Sequence, residues 1–180
     1  ADRTEKPVDI QEMMLNNDEL LNYLIIHKEL IDSQSEKSKQ MQRGDEFYSL
    51  SKIGPYTFGK YIVAARDNTK FCASVITDRQ TPWGETKQTI CVKHTMLISR
   101  DKSGRFITKD EADYICGILN SSIVVEYMHN TFKSNGFSLK KSAFALPLYD
   151  KNNKIHKQIC SLAKKASGLK DVEKISEIQK

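Results

Sequence analysis

The chain has 180 residues, with 39% hydrophobic residues, 28% charged residues and a formal net charge of +5. This length and composition suit one domain with its own core and leave room for a helical appendage. No apolar run approaches the length of a membrane span, and residues 1–6 lack the apolar segment of a signal peptide. We therefore expect a cytoplasmic protein without a membrane partner.

The positive charge is concentrated toward the C-terminus. Residues 1–46 carry six basic and 11 acidic side chains, residues 47–132 carry 11 and eight, and residues 133–180 carry 11 and four. A basic C-terminal half suits a surface that faces a polyanion such as nucleic acid. A merely solvated, lysine-rich surface would have the same composition, so charge alone leaves both interpretations open.

The first predicted elements in chain order are helical. Apolar residues recur at helical spacing within residues 9–40, most regularly over 20–31, with Asn17 or Asp18 as the expected N-cap. Residues 33–43 are polar, so the helix either ends there or continues exposed. The apolar face of residues 20–31 needs another part of the protein to cover it.

Residues 47–92 are rich in aromatic and β-branched residues, which favours strands. A turn at residues 66–69 followed by a returning strand at 71–77 predicts a hairpin. Residues 78–86 contain a proline, the single tryptophan and a glycine, which is typical of an exposed loop. Further short strands are predicted at 56–58, 61–63, 89–92 and 95–98.

Helices dominate the rest of the chain. Thr108 and Glu111 fit a capping box that opens a helix ending at Leu119. Asn120 and Ser121 interrupt it before the next helix. Further helices are predicted at residues 123–132, 154–166 and 171–178. Together the elements predict an α+β fold, with a small antiparallel, partly barrel-like sheet, flanking helices and an N-terminal helical segment.

The cysteines and histidines indicate no metal site. The four cysteines are isolated among apolar neighbours, without a CxxC pair, and the histidines lack ligand spacing with them. Small buried thiols are therefore expected rather than disulfides or a zinc site. The cysteines are Cys72, Cys91, Cys116 and Cys160.

Three short segments form a composite pattern. The first is Phe-Tyr-Ser-Leu-Ser-Lys-Ile-Gly-Pro-Tyr-Thr-Phe at 47–58, which continues through Lys60 to Arg66-Asp67. The second is Ile-Leu-Asn-Ser-Ser at 118–122, and the third is Ala-Leu-Pro-Leu at 145–148. Their order and spacing resemble the C-terminal target-recognition domain of adenine-N6 DNA methyltransferases of the TaqI type. That family includes fused type II restriction-modification enzymes.

The resemblance implies a DNA-recognition domain at residues 47–168, between a helical segment or connector at 1–46 and a tail helix at 169–180. Such enzymes bind S-adenosylmethionine with a glycine-rich loop and hold the flipped adenine with an Asn/Asp-Pro-Pro-aromatic motif. This sequence has neither motif, so no cofactor is expected here. The implied partners are double-stranded DNA and the catalytic domain of the same polypeptide, which could also carry an endonuclease.

Candidate DNA contacts follow from the chemistry of base readout. Lysine and arginine bind phosphates, arginine binds guanine edges and glutamine binds adenine edges. Residues 78–87 are the first candidate for readout, unless the tryptophan folds back on the core. The next candidates are the basic residues around the Gly54-Pro55 turn. The loop after the predicted helix 123–132 is a further candidate, because the resemblance implies a DNA-facing cleft there. The candidates are Lys52, Lys60, Arg66, Arg79, Gln80, Trp83, Lys87, Lys133, Ser134, Asn135, Lys140 and Lys141.

Two local features qualify these expectations. Ala64 and Ala65 precede Arg66-Asp67 where the family usually has a bulky aromatic residue, so a smaller core or a different groove is predicted there. Tyr56 and Phe58 are predicted to be core aromatics rather than stacking platforms.

Two other classes of function stay open. One is a protein-interaction module whose basic face is incidental. The other is a metal-dependent nuclease in which Asp78 and the triplet Glu85-Thr86-Lys87 hold magnesium and orient water. Binding to duplex DNA would separate DNA recognition from a protein-interaction module. Magnesium-dependent cleavage of DNA would reveal a nuclease.

Overall fold

The computed structural model describes residues 7–33, 46–49, 54–68, 70–91, 95–132 and 136–168. The chain divides into two compact units, Ala1–Pro55 and Tyr56–Lys180. Within the described residues the composition is mixed, with helices and a small antiparallel sheet, so the protein is an α+β protein as predicted.

The described residues of the first unit form three short helices. They are α1 (Ile10–Asn16), α2 (Asp18–Ile26) and α3 (Lys28–Asp32). Asp9 caps α1, since its carboxylate accepts a hydrogen bond of 2.8 Å from the backbone N–H of Gln11. Asn17 precedes α2, but its side chain makes no capping hydrogen bond. The predicted continuous helical pattern is thus broken into short helices, and residues 34–45 lie outside the described residues.

The second unit is built on a three-stranded antiparallel sheet. Its strands are β1 (Ile62–Arg66), β2 (Ala73–Ile76) and β5 (Thr95–Ile98), in the order β2-β1-β5. A separate two-stranded ribbon joins β3 (Arg79–Gln80) to β4 (Thr86–Lys87). The predicted hairpin across residues 66–69 is confirmed, because β1 and β2 are antiparallel neighbours with Ile62 opposite Ile76.

Three helices follow the sheet in the part of the chain that the structure describes, and each begins where a polar side chain binds its first turn. They are α4 (Lys109–Leu119), α5 (Ser122–Thr131) and α6 (Lys154–Gly168). Thr108 and Glu111 form the predicted capping box, Ser121 caps α5, and the Asn153 side chain accepts the Ile155 N–H at 2.9 Å. The first three predicted helices after the sheet are confirmed to within two residues at each end. The fourth, at 171–178, and the tail segment 169–180 lie outside the described residues.

The core lies between the sheet and the helices. Val63, Ala65 and Ala73 point from the strands toward Leu119 and Met128 of α4 and α5, and all five are buried. Helix α4 packs on β1 and β2, and α6 packs on α4. Helix α6 is therefore separated from the sheet by α4.

Asn120, in the interruption between α4 and α5, pairs with the exposed edge of β2. Its amide oxygen accepts the Ala73 N–H at 2.9 Å, and its amide nitrogen donates to the Ala73 carbonyl at 2.8 Å. Ala73 lies in β2, which is an edge strand among the described strands, so none of these offers its backbone groups a partner on that side. The Asn120 side chain thus supplies hydrogen bonds to the outward-facing backbone groups of Ala73 and holds the break between α4 and α5 against the sheet.

Three expectations about the strands are corrected. The described strands form an open sheet and do not close into a barrel; one edge is capped by Asn120 instead of another strand. Residues Pro55–Phe58 form a 3₁₀ turn rather than a strand, since Pro55 fixes φ at a value suited to that turn. Phe58 is exposed rather than a core aromatic, and residues 89–91 form no strand.

The Glu111 carboxylate links stability to pH. Its two oxygens accept hydrogen bonds of 2.7 and 3.1 Å from the Arg105 guanidinium, and one also accepts the Thr108 N–H at 2.7 Å. The hydrogen bonds with Arg105 are the main reason why the pKa of Glu111 falls from its ordinary value of 4.5 to about 2. A depressed pKa stabilises the folded state only while the carboxyl is ionised. The stabilisation is therefore complete above pH 4.5 and is lost as the pH falls toward about 2.

Glu111→Gln should lower the free energy of unfolding by about 1–2 kcal/mol near neutral pH, because a charge-assisted pair is lost. That difference between wild type and variant should shrink as the pH falls through the acidic range. Urea denaturation at a series of pH values measures it, with Glu126→Gln on the exposed part of α5 as the control. A deficit that is the same at every pH would show that Glu111 does not act through its charge.

Candidate nucleic-acid interface

The β3–β4 ribbon projects four of the predicted contact residues, Arg79, Gln80, Trp83 and Lys87, into solvent. Arg79 lies opposite Lys87 and Gln80 lies opposite Thr86. Because side chains alternate between the two faces of a strand, Arg79 and Lys87 share one face and Gln80 lies on the other. One face of the ribbon cannot therefore present both Arg79 and Gln80 to a groove floor.

A rigid three-residue loop, Pro82-Trp83-Gly84, closes the ribbon. The Thr81 carbonyl accepts the Gly84 N–H at 3.0 Å, and Gly84 has a φ of +92°, a conformation that favours glycine. Pro82 occupies the second turn position, where its fixed φ is favourable. The Thr81 hydroxyl donates to the Glu85 carbonyl and accepts the Glu85 N–H, at 2.9 and 3.1 Å. The tip is thus fixed by its own hydrogen bonds.

Trp83 lies at this tip with 71% of its surface exposed, so the alternative in which it folds back on the core is wrong. Its indole nitrogen donates to Glu85 Oε2 at 3.2 Å, and Lys87 Nζ lies 3.0 Å from the same oxygen. The Lys87 hydrogen bond, with that from Trp83, lowers the pKa of Glu85. Arg79 has no ion-pair partner among the described residues, so its guanidinium is available to a ligand.

Gly59 brings the base of the ribbon next to two other segments. Gln88 Nε2 donates to the Gly59 carbonyl at 3.3 Å. A Cβ at Gly59 would lie 2.9 Å from Ser99 Cβ and 3.3 Å from Phe106 Cδ1. Lys60, exposed and adjacent to Gly59, therefore lies beside the ribbon. These segments lie at one end of the strands of the sheet. We call this end, formed by residues 59–60, 79–88 and 99–106, the ribbon end.

Sequence reasoning missed three cations at the ribbon end, Arg100, Lys102 and Arg105, the last of which is bound by two carboxylates. Arg100 pairs with Phe106 across an isolated bridge, and its guanidinium lies 5.1 Å from the centre of the Phe106 ring. Lys102 is exposed in the turn that this bridge closes, next to Gly104 with its φ of +88°. The Asp-Lys-Ser-Gly sequence signalled the turn, but its location beside the ribbon depends on contacts distant in sequence.

The other predicted cations among the described residues lie at the opposite end of the sheet, which we call the hairpin end, formed by residues 66–68, 70 and 136–141. Arg66 ends β1, and the Asp67 carbonyl accepts the Phe137 N–H at 2.7 Å. Two residues later, the Leu139 N–H donates to the sulfur of Met96, which lies near the start of β5, at 3.2 Å. The exposed Lys140 and Lys141 follow in a 3₁₀ turn. Lys70, also exposed, was not predicted.

The structure therefore separates the predicted contacts into two groups. The five residues of β1 put the two ends of the sheet about 13 Å apart. The ribbon end has Lys60, Arg79, Gln80, Trp83 and Lys87, and the hairpin end has Arg66, Lys140 and Lys141. Lys52, Lys133, Ser134 and Asn135 lie outside the described residues.

A second polar cluster, between α4 and α6, has a structural role. Lys164 Nζ lies 2.8 Å from an Asp110 oxygen and 3.7 Å from an oxygen of the buried Asp113, which Lys109 also contacts. Asp110, Asp113 and Cys160 are close enough together to hold a cation, and the Lys164 ammonium lies against both carboxylates. The hydrogen bond from Lys164 is the main cause of the lowered pKa of Asp110. These charges join α6 to α4.

The cysteines are all free, and burial raises the pKa of the Cys116 thiol to about 11. The prediction of buried thiols is right for Cys160. Cys91 and Cys116 are half-buried, and the prediction is wrong for Cys72. Cys72 lies just before β2 between the buried Phe71 and Ala73, so its side chain points away from the core and is exposed.

The helical unit exposes many apolar side chains. Leu15 is 85% exposed, Ile26 is 78% exposed and Leu30 is 70% exposed. So many exposed large apolar residues on a unit of this size favour a surface that binds another protein.

Among the residues that the structure describes, no helix has both the length and the apolar composition needed to cross a membrane. Comparison of the chain with protein-family models, with curated proteins and with solved structures gave no match.

Proposed function

We propose that the second unit is the sequence-recognition domain of an adenine-N6 DNA methyltransferase of a restriction-modification system. The observation that carries this proposal is the exposed, hydrogen-bonded β3–β4 ribbon, on which no described residue forms an ion pair with the Arg79 guanidinium. The major groove of B-DNA accommodates a two-stranded ribbon, and arginine binds guanine there with two hydrogen bonds. The resemblance of residues 47–58, 118–122 and 145–148 to TaqI-type domains supports the same function.

The two ends of the sheet would have different tasks. The ribbon end would carry base readout, with Lys60, Arg100 and Lys102 on neighbouring phosphates. The cations of the hairpin end, about 13 Å away, would bind the flanking backbone. Phosphate contacts fix the register of the protein on DNA, and base contacts then select the sequence.

The exposed apolar residues of α1–α3 support a protein partner for the helical unit. We propose that this partner is the catalytic domain of the same polypeptide, which would bind S-adenosylmethionine and methylate the flipped adenine. A general protein-interaction module is the second candidate, since the same apolar surface favours it. Duplex binding with strong salt dependence is expected only of the first.

The nuclease alternative has less support. Glu85 and Lys87 of its triplet bind each other at 3.0 Å on the exposed ribbon, and Glu85 also accepts the Trp83 indole N–H. These contacts occupy the groups that would have to hold magnesium and orient water.

Salt dependence tests the proposed phosphate contacts at the hairpin end. Replacing Lys140 and Lys141 with alanine should weaken binding to all duplex sequences by similar factors. It should also reduce the slope of log affinity against log salt by about 0.9 for each lost phosphate contact. Fluorescence anisotropy with labelled duplexes over a range of salt concentrations measures both quantities.

The matched control replaces Lys157 and Lys165, exposed on α6 and separated from the sheet by α4. Those substitutions change the net charge equally and should leave the salt slope nearly unchanged. Equal effects from both pairs would mean that only the total charge matters. The absence of duplex binding by the unaltered chain would overturn the proposed function itself.

A further inference from the structure

Trp83 combines two properties that ordinary surface residues lack. It is a large aromatic side chain with 71% of its surface exposed, and it stands at the outermost point of a rigid turn. Burying such a side chain is normally favourable, so a hydrogen-bonded tip that leaves it in water suits a ligand that covers it.

The indole is also oriented. Its nitrogen is 3.2 Å from Glu85 Oε2, and Glu85 lies behind the tip on the strand side of the turn. The edge of the ring system opposite that nitrogen therefore faces away from Glu85. Because Lys87 fixes the same carboxylate at 3.0 Å, the polar edge of the indole already has its hydrogen bond.

The surroundings of Trp83 favour a polyanion. Arg79 and Lys87 lie behind it on one face of the ribbon, and Lys60, Arg100 and Lys102 lie at the base. These cations would attract the phosphate backbone, and the leading surface of the tip would then be aromatic. Bases stack readily on aromatic side chains, and apolar side chains inserted between base steps are a known means of kinking a duplex.

We propose that Trp83 inserts its indole into the base stack of duplex DNA, as a wedge at the tip of the recognition ribbon. This inference rests on the proposed function, because the ribbon must first enter a DNA groove. Glu85 is a positioning residue, which holds the indole in the inserting orientation. Since Glu85 and Trp83 belong to one closed turn, little conformational freedom is lost on insertion.

The chain has a single tryptophan, so its intrinsic fluorescence reports on Trp83 alone. Titration of the full 180-residue chain with a short mixed-sequence duplex should quench this fluorescence severalfold and protect it from iodide. Trp83→Ala should weaken duplex binding roughly 5- to 150-fold, which corresponds to 1–3 kcal/mol for a stacked base. Trp83→Phe, which keeps an aromatic ring, should retain most of the affinity.

Leu148→Ala is the matched control, because this apolar side chain is 80% exposed in the same unit and lies away from the ribbon in sequence. It should bind the duplex like the unaltered chain. Circular dichroism and thermal unfolding of each variant verify that the fold is retained.

The experiment distinguishes failure of the Trp83 insertion from failure of the proposed function. Duplex binding with unchanged tryptophan fluorescence and unchanged affinity of Trp83→Ala would overturn the insertion and leave the proposed function standing. Failure of the unaltered chain to bind a duplex would overturn both. Quenching by single-stranded DNA or RNA in clear preference to the duplex would also overturn the insertion, and would assign the ribbon to unpaired bases.

Discussion

Replacing Asn120 with alanine is expected to lower the free energy of unfolding by about 2–4 kcal/mol. The Asn120 amide binds both backbone groups of Ala73, at 2.9 and 2.8 Å, on the edge strand β2, where the Cys116 thiol makes a further, longer contact of 3.5 Å with the Ala73 carbonyl. Ala73 is buried, so without Asn120 its N–H would lose its hydrogen bond and its carbonyl would keep only the weak one from the Cys116 thiol, both without full access to water. Leaving each such group unsatisfied costs about 1–3 kcal/mol.

Urea denaturation followed by circular dichroism measures this effect. Asn130→Ala is the control, because Asn130 is an exposed asparagine on α5, and its substitution should change stability by less than about 0.5 kcal/mol. Asn120→Asp should also destabilise, since a carboxylate cannot donate to the Ala73 carbonyl. A loss of less than about 0.5 kcal/mol for Asn120→Ala would mean that the edge of β2 does not depend on this side chain.

The second large effect is expected at Arg79, where Arg79→Lys should reduce discrimination between the preferred sequence and its variants at one base pair. The expected loss is about 1–3 kcal/mol, because lysine keeps the charge but cannot form two parallel hydrogen bonds to guanine. Affinity for unrelated duplexes should change little. Competition binding with a set of single-position variants of the preferred site measures the effect.

Arg66→Lys and Arg66→Ala are the matched controls, at the hairpin end of the same sheet. Arg66→Ala should weaken binding to every sequence alike, because that end is proposed to contact phosphates. Gln80 lies on the opposite face of the ribbon from Arg79, so only one of the two should govern specificity. Unchanged discrimination in Arg79→Lys, with relaxed discrimination in Gln80→Ala, would show that the Gln80 face enters the groove.

Features that depend on neighbouring residues could be predicted from the sequence. The capping box of Thr108 and Glu111, the helix break at Asn120 and the hairpin at residues 66–69 each depend on contacts within a few positions. Short-range hydrogen bonds and turn preferences determine them, so a single sequence contains the necessary information.

Features that join distant segments could not be predicted. The bonds from Asn120 to Ala73 span 47 positions, and the approach of Gln88 to Gly59 spans 29. The first explains why the Leu-Asn-Ser segment has an asparagine, and the second brings Lys60 to the ribbon. Arg66 and Arg79 are 13 positions apart in the sequence, yet they lie at opposite ends of the sheet because β2 runs back along β1.

Local composition gave wrong predictions for the segment after Pro55 and for the burial of Cys72. The aromatic residues after Pro55 favoured a strand, but the proline and its neighbours form a 3₁₀ turn in which Phe58 is exposed. The cysteine at position 72 has apolar neighbours, but alternation along the chain buries Phe71 and Ala73 and leaves Cys72 outside.

Selection from a library of randomised duplex DNA with the full chain tests the central claim most directly. We predict enrichment of one short sequence, and loss of the preference at one position of it when the selection is repeated with Arg79→Lys. Retention of DNA without enrichment of any sequence, or the same enriched sequence from Arg79→Lys, Gln80→Ala and the unaltered chain, would contradict recognition of DNA sequence by this ribbon.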